Sequence, residues 1–201
     1  MTGGRPYHSP RRAQEAAETR RDIVRAAAEL FATNGYARVT VSDIARAAGV
    51  AQQTVYSSAG SKSDILDEVL AEAIRNSGGD ANLAEIRLTE DLPTALTLLA
   101  HGTRLGNESQ EQAVDIIFGA MPVHENAAQL WAFATGQYRE TLGQIAEHLR
   151  DKGLVEDAER TTAVLWFYFG LHSWRSLVRD NGWTWDDAEN WLARQALAAL
   201  G

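Results

Sequence analysis

The 201-residue chain contains no cysteine, which excludes a disulfide scaffold and any zinc or redox site built on thiolates. No apolar run approaches the roughly 18 residues that would suggest a membrane span. The opening MTGGRPYHSPRR also lacks the apolar middle of a secretory signal. A cytoplasmic protein without a membrane partner is therefore expected. Beyond Ser61 no run alternates as a strand would, and no period of solenoid type recurs. Signatures of catalysis are missing too. There is no G-x-S-x-G elbow, no phosphate loop ending in G-K-[ST], and no dinucleotide glycine fingerprint. His101, His124, His148 and His172 are widely separated, and His124-Glu125 meets Ala128 where a helical zinc motif needs a second His. No catalytic residue, metal site or cofactor is expected.

What is present is unevenly charged. The net charge is -8, yet residues 1–62 hold nine Lys or Arg against five Asp or Glu, while residues 63–201 hold ten against twenty-two. A head of +4 on a body of -12 is compatible with DNA binding, because affinity depends on local phosphate neutralisation. Ordinary surface charge is the alternative reading.

The head carries the strongest local pattern, TVSDIARAAGVAQQTVYSSAGSK, from Thr40 to Lys62. Thr40 and Asp43 have capping-box spacing, so a helix begins near Val41. Val41, Ile44, Ala45 and Ala48 recur at helical spacing and form a short-chained apolar face suited to close packing. Gly49 supplies a left-handed residue to end that helix. A second helix, about Gln52 to Ser57, buries Val55 and presents Gln52, Gln53, Thr54 and Tyr56. Two helices crossing over a tight turn form a helix-turn-helix, whose second helix enters the DNA major groove N-terminus first.

At these residues the chain resembles the DNA-binding domain of TetR-family transcriptional regulators. The resemblance runs from TRRDIVRAAAELFATNGY (Thr19 to Tyr36) through VTVSDIARAAGVAQQTVY to SKSDIL (Ser61 to Leu66), in order and spacing over about fifty residues. Two positions depart from it. Ala51 stands where the family usually has a capping Ser or Thr, and Ala59 where it has an aromatic, most often Phe. A compensating contact is expected near Ala59. The resemblance implies phosphate contacts by Tyr56, Lys62 and Thr40, with Arg46 a further candidate. Gln52 and Gln53 are the candidate base readers, since a Gln amide can pair bidentately with adenine. Arg11 and Arg12 either follow a phosphate chain or groove or are simply solvated.

The remainder reads as helices, giving an all-α fold: a flexible basic arm (1–15), a three-helix DNA-binding domain (16–62) and a helical effector-binding and dimerisation domain (63–201). Ser61 and Asp64 start a helix to about Asn76, ended by Ser77-Gly78-Gly79-Asp80. Further helices are expected from Pro93 to about Leu105 and over about 108–121, 125–151, 157–180 and 185–200. The run AVLWFYFGLHSWRSL (Ala163 to Leu177) is apolar around most of its circumference. That surplus either completes the core or forms an interface. The resemblance implies dimerisation through a four-helix bundle, with Phe167, Leu171, Trp174, Trp191 and Ala196 as candidates. His101, Phe118, Met121, Trp131, Tyr138, Trp166 and His172 combine apolar bulk with polar groups and are candidates for an effector pocket or for plain core. Gly136, Gly143 and Gly170, expected within helices, either leave room for a cavity or allow close packing.

The expected protein is a homodimeric regulator that binds a double-stranded DNA operator and responds to an unidentified small-molecule effector. A ligand-independent architectural DNA binder is the alternative, and an enzyme a more distant one.

Overall fold

A computed structural model describes residues 10–76 and 83–201. Residues 1–9 of the expected arm and the expected helix stop at Ser77 to Asp80 lie outside them. The described residues are mostly helical, with no strand among them, and form two compact units. One runs up to Ile74 and takes in Gln112–Leu130; the other comprises Arg75–Glu111 and Trp131–Gly201. The first unit therefore extends past residue 62 and includes a segment much later in the chain. No described helix is long and apolar enough to cross a membrane.

In the first unit, α1 (Pro10–Asn34) packs against α2 (Val41–Ala47) and α3 (Gln52–Ala59), which also pack on each other. Ile23, Ala27 and Phe31 follow one another at four-residue spacing and are all buried, so α1 gives a single stripe to the core. Ile44, Ala45, Val55 and Ala59 are buried from α2 and α3. The start of α4 (Lys62–Asn76) adds Ile65, Leu66, Val69 and Leu70, and α7 (Glu111–Ala120) adds Val114, Ile116, Ile117 and Ala120. Each fully buried aliphatic side chain contributes about 1.5–3 kcal/mol of transfer free energy. Because α1 begins at Pro10, residues 10–15 are helical where a flexible arm was expected.

The second unit is built on α6 (Leu92–Ser109), the greater part of α8 (Glu125–Asp151), α9 (Ala158–Phe169) and α11 (Trp185–Leu200), with the short α5 (Leu83–Leu88) at its start. Ala188, Leu192 and Ala196 make a small-large-small stripe on α11 that lies in the core with Leu96, Leu99, Leu142, Leu149 and Leu165. Asp91, Asp157 and Thr184 cap α6, α9 and α11 by accepting backbone N–H groups.

The single helix expected over 157–180 is broken. Gly170 is extended, and a Cβ there would lie 2.4 Å from the Trp166 carbonyl oxygen. The chain resumes as α10 (Leu171–Trp174) and a six-residue π-helical stretch, Arg175–Asp180. The carbonyls freed by the break find donors: the Ser173 hydroxyl bonds to the Phe167 oxygen and the Tyr138 hydroxyl donates to the Phe169 oxygen at 3.1 Å. Gly170 thus marks the break and leaves no cavity at a helix centre. An apolar run gives no periodic sign of such an interruption.

Candidate nucleic-acid interface

Local chemistry sets the helix-turn-helix. Thr40 Oγ1 accepts from the Asp43 N–H at 3.2 Å, and Asp43 Oδ2 accepts from the Thr40 N–H at 3.0 Å. The Thr40 hydroxyl and backbone hydrogen bonds hold the Asp43 carboxyl below the usual range. At the other end of α2, the Val50 N–H reaches the Ala45 oxygen at 3.0 Å and the Gly49 N–H the Arg46 oxygen at 3.3 Å, with Gly49 at φ 67°. That is a Schellman closure, in which an L side chain at residue 49 would be strained. It turns the chain directly into α3.

The first turn of α3 is open to solvent. Gln52 and Gln53 are exposed, Thr54 is half-buried, and Tyr56 is 48% exposed, while Val55 on the opposite side is wholly buried. Ala51 precedes the helix without a side-chain cap, so only its carbonyl serves the turn, accepting from Thr54 and Val55. Ala59 is buried despite its small size. Arg20 of α1 steadies the far end of α3: its guanidinium bonds to the Ser58 oxygen at 2.5 Å and to Glu68 at 3.0 Å. The glutamines are thus exposed amides on a helix anchored by its buried face, and a Gln amide has the donor and acceptor needed to pair with a base edge.

The basic candidates are placed differently from one another. Arg46 is exposed and pairs with Asp43 on its own helix. Arg11 is exposed and pairs with Glu15 at 2.9 Å; the side chain of Arg12 lies outside the described set. Lys62 is turned inward. Its ammonium donates to the Tyr36 and Val39 carbonyls, each at 3.0 Å, and lies 4.2 Å from the Tyr36 ring centroid. The expected phosphate ligand thus braces the turn before α2, where the Tyr36 carbonyl also accepts from the Val39 N–H at 3.3 Å. Arg38, which sequence reasoning passed over, is exposed in that same turn, the 3-10 segment Tyr36–Arg38. Its place directly before the Val39-Thr40 start of α2 is the signal that could have found it.

In the second unit, Tyr138 and Trp166 pack with ring centroids 6.1 Å apart, and Trp131 and His172 at 6.5 Å. Burial pushes the Tyr138 phenol upward, so it stays a neutral hydrogen-bond donor. His101 has other partners. It is half-exposed and faces Glu189 at 3.1 Å, in an ion cluster where Arg104 bonds to Glu189 and Asp186. Phe118 and Met121 belong to the first unit. The interface candidates also divide. Phe167 is 68% exposed, and Leu171 and Trp191 are half-buried, but Trp174 and Ala196 are fully buried in the protomer core. A second chain has no surface of Trp174 or Ala196 to cover; both serve the core.

Residues 23–69 match the family model described as bacterial regulatory proteins, tetR family. The head belongs to the TetR family. No curated protein sequence matches the chain. Among solved structures, the fatty acid degradation regulator FadR from Bacillus halodurans is similar at 17% identity and a TM-score of 0.69, over 89% of this chain and 94% of that one. FadR from Bacillus subtilis, solved with stearoyl-CoA, is similar at 19% identity and 0.68, over 90% and 99%. A protein from Saccharomonospora viridis in complex with choline is similar at 21% identity and 0.70, over 89% and 95%. At these identities the likeness establishes the fold alone, an all-α one with a helical head and a helical body.

The TetR-family head here keeps its two capping boxes, at Thr40–Asp43 and at Ser61–Asp64, where the Ser61 N–H meets Asp64 Oδ2 at 2.8 Å. It lacks the side-chain cap at Ala51 and the aromatic at Ala59.

Proposed function

We propose that this protein is a sequence-specific transcriptional regulator that binds a palindromic operator as a homodimer and is released from it by a small molecule. The exposed first turn of α3 carries the reading: Gln52 and Gln53 stand free on a helix whose buried face is anchored by Val55 and Ala59. These glutamines read base edges. Tyr56, Thr54, Thr40 and Arg46, joined by Arg38, hold the phosphate backbone, and Arg11 and Arg12 extend the contact from the start of α1. A basic head on an acidic body favours this end of the chain for DNA.

Dimerisation uses the exposed Phe167 with Leu171 and Trp191, because a side chain as large and apolar as Phe167 gains most from a partner surface. Structures of similar fold hold stearoyl-CoA in one case and choline in another, which supports a small-molecule role for the body. Tyr138, Trp166, Trp131 and His172 are the side chains we assign to the effector. Release requires that the effector bind the two arrangements of the dimer unequally.

Selection of bound duplexes from a random pool tests the reading. Enrichment of a palindrome is the expected result; a folded protein that enriches nothing at low salt would contradict it.

A further inference from the structure

His124 stands immediately before α8, and both of its ring nitrogens are engaged. The Ala127 N–H is shared between Nδ1 and the His124 carbonyl, each at 3.2 Å, so Nδ1 takes part in capping the helix. A backbone N–H can only donate, which leaves the lone pair on Nδ1 and the proton on Nε2. Nε2 lies 2.7 Å from Ser63 Oγ, in the first turn of α4. The ring meets the Tyr36 ring edge-on at 5.5 Å, and the Lys62 ammonium stacks against that same phenol. A short path follows from the start of α8 to the start of the helix-turn-helix. His124 holds Ser63; its neighbour Lys62 holds the carbonyls of Tyr36 and Val39; Thr40, next in the chain, caps α2.

We propose that His124 is a proton-sensitive latch, which holds the head in its DNA-reading arrangement when neutral and loosens it when charged. A proton on Nδ1 replaces the acceptor with a donor facing the Ala127 N–H. It also places a positive charge at the positive end of α8. The charged groups around the ring are of both signs. Lys62 is a cation. Asp64 is taken up by the Ser61 N–H and hydroxyl, and Asp67 accepts from Asn126 at 2.6 Å. Glu125 is exposed on the first turn of α8, and Tyr36 is an uncharged phenol whose ionisation is pushed upward by burial and by Asp67. The proposal rests on the DNA-binding reading only for its consequence; the latch itself is testable without DNA.

The test follows the His124 ring by long-range nitrogen NMR and the Ala127 amide by hydrogen exchange, in the full chain and in His124→Asn. Asparagine retains a capping acceptor but does not titrate. The expected result is an Nε2–H ring at about pH 8. As pH is lowered, Ala127 exchange should then rise roughly three- to tenfold beyond the intrinsic pH effect, in step with protonation of the ring as the nitrogen spectrum records it, and in wild type alone. Affinity for a duplex recovered by selection should fall with the same protonation, with His124→Asn resisting the fall. An Nδ1–H ring at about pH 8, or ring titration with no step at Ala127, overturns the latch. Equal pH dependence of DNA affinity in both proteins overturns its link to the head. If neither protein binds any duplex while the Ala127 step persists, the latch stands and the DNA-binding reading is what fails.

Discussion

The Lys62 ammonium donates to the backbone carbonyl of Tyr36 while lying against the Tyr36 ring, so one residue of α4 grips another at both its main chain and its side chain. With the further bond to Val39, this ties α4 to the turn that launches α2. The turn so held opens α2, which packs on α3 and on α1.

Lys62→Ala is expected to destabilise the fold by about 1–3 kcal/mol, the usual cost of removing a charged donor from buried acceptors. DNA affinity should fall for all duplexes alike, while the salt dependence stays close to that of wild type. Loss of a true phosphate contact would instead lower the logarithmic salt slope by about 0.9. Thermal unfolding together with binding at several salt concentrations separates the two roles.

Acid should weaken the capping boxes. Hydrogen bonds from Thr40 lower the Asp43 pKa, and those from Ser61 and Thr94 do the same for Asp64 and Asp91, each from 3.8. A lowered carboxyl contributes stability above its unfolded value, and that stability is lost as pH falls from near 3.8 through the folded value. Asp43→Asn and Asp64→Asn should therefore each flatten the acid limb of a stability-versus-pH curve. A limb unchanged in both variants would show that these caps do not link protonation to folding.

Two aromatics close in sequence should behave oppositely. Trp174→Ala removes a fully buried side chain from the protomer core and should cost about 3–5 kcal/mol. Phe167→Asp alters an exposed position and should shift a dimer toward monomer with little change in unfolding temperature. Sedimentation velocity and thermal unfolding of both variants check this. A stable monomer from Trp174→Ala, or an unfolded chain from Phe167→Asp, would reverse the assignment.

Tyr138→Phe deletes the hydroxyl that satisfies the Phe169 carbonyl at the break after α9. A loss of about 1–3 kcal/mol is expected, because the acceptor stays behind without its donor. Denaturant unfolding measures it, and a neutral result would mean that the carbonyl is satisfied in another way.

The head was legible in sequence because its determinants are local. Capping boxes act across three residues, and Gly49 closes α2 onto Val50 within a single turn. What escaped depends on distant partners. Lys62 reads as a free cation until the Tyr36 carbonyl, twenty-six positions earlier, is brought to it. His124 gives no hint of Ser63, sixty-one positions away. In the apolar run around Gly170, side chains on every face look alike, so neither the break nor the inward course of Trp174 has a periodic signature. The six residues of α5 are too few to show a period.

Base reading by α3 through Gln52 and Gln53 is the central proposal. Selection from a random duplex pool should be run with wild type and with the Gln52→Ala, Gln53→Ala double variant, with the mass of each selected complex measured. The predicted result is a palindrome bound by two chains, with preference lost in the variant at symmetric positions of both half-sites and retained elsewhere. An identical motif from both proteins would contradict the assignment of Gln52 and Gln53, and no motif from folded wild-type protein at low salt would contradict the regulator itself.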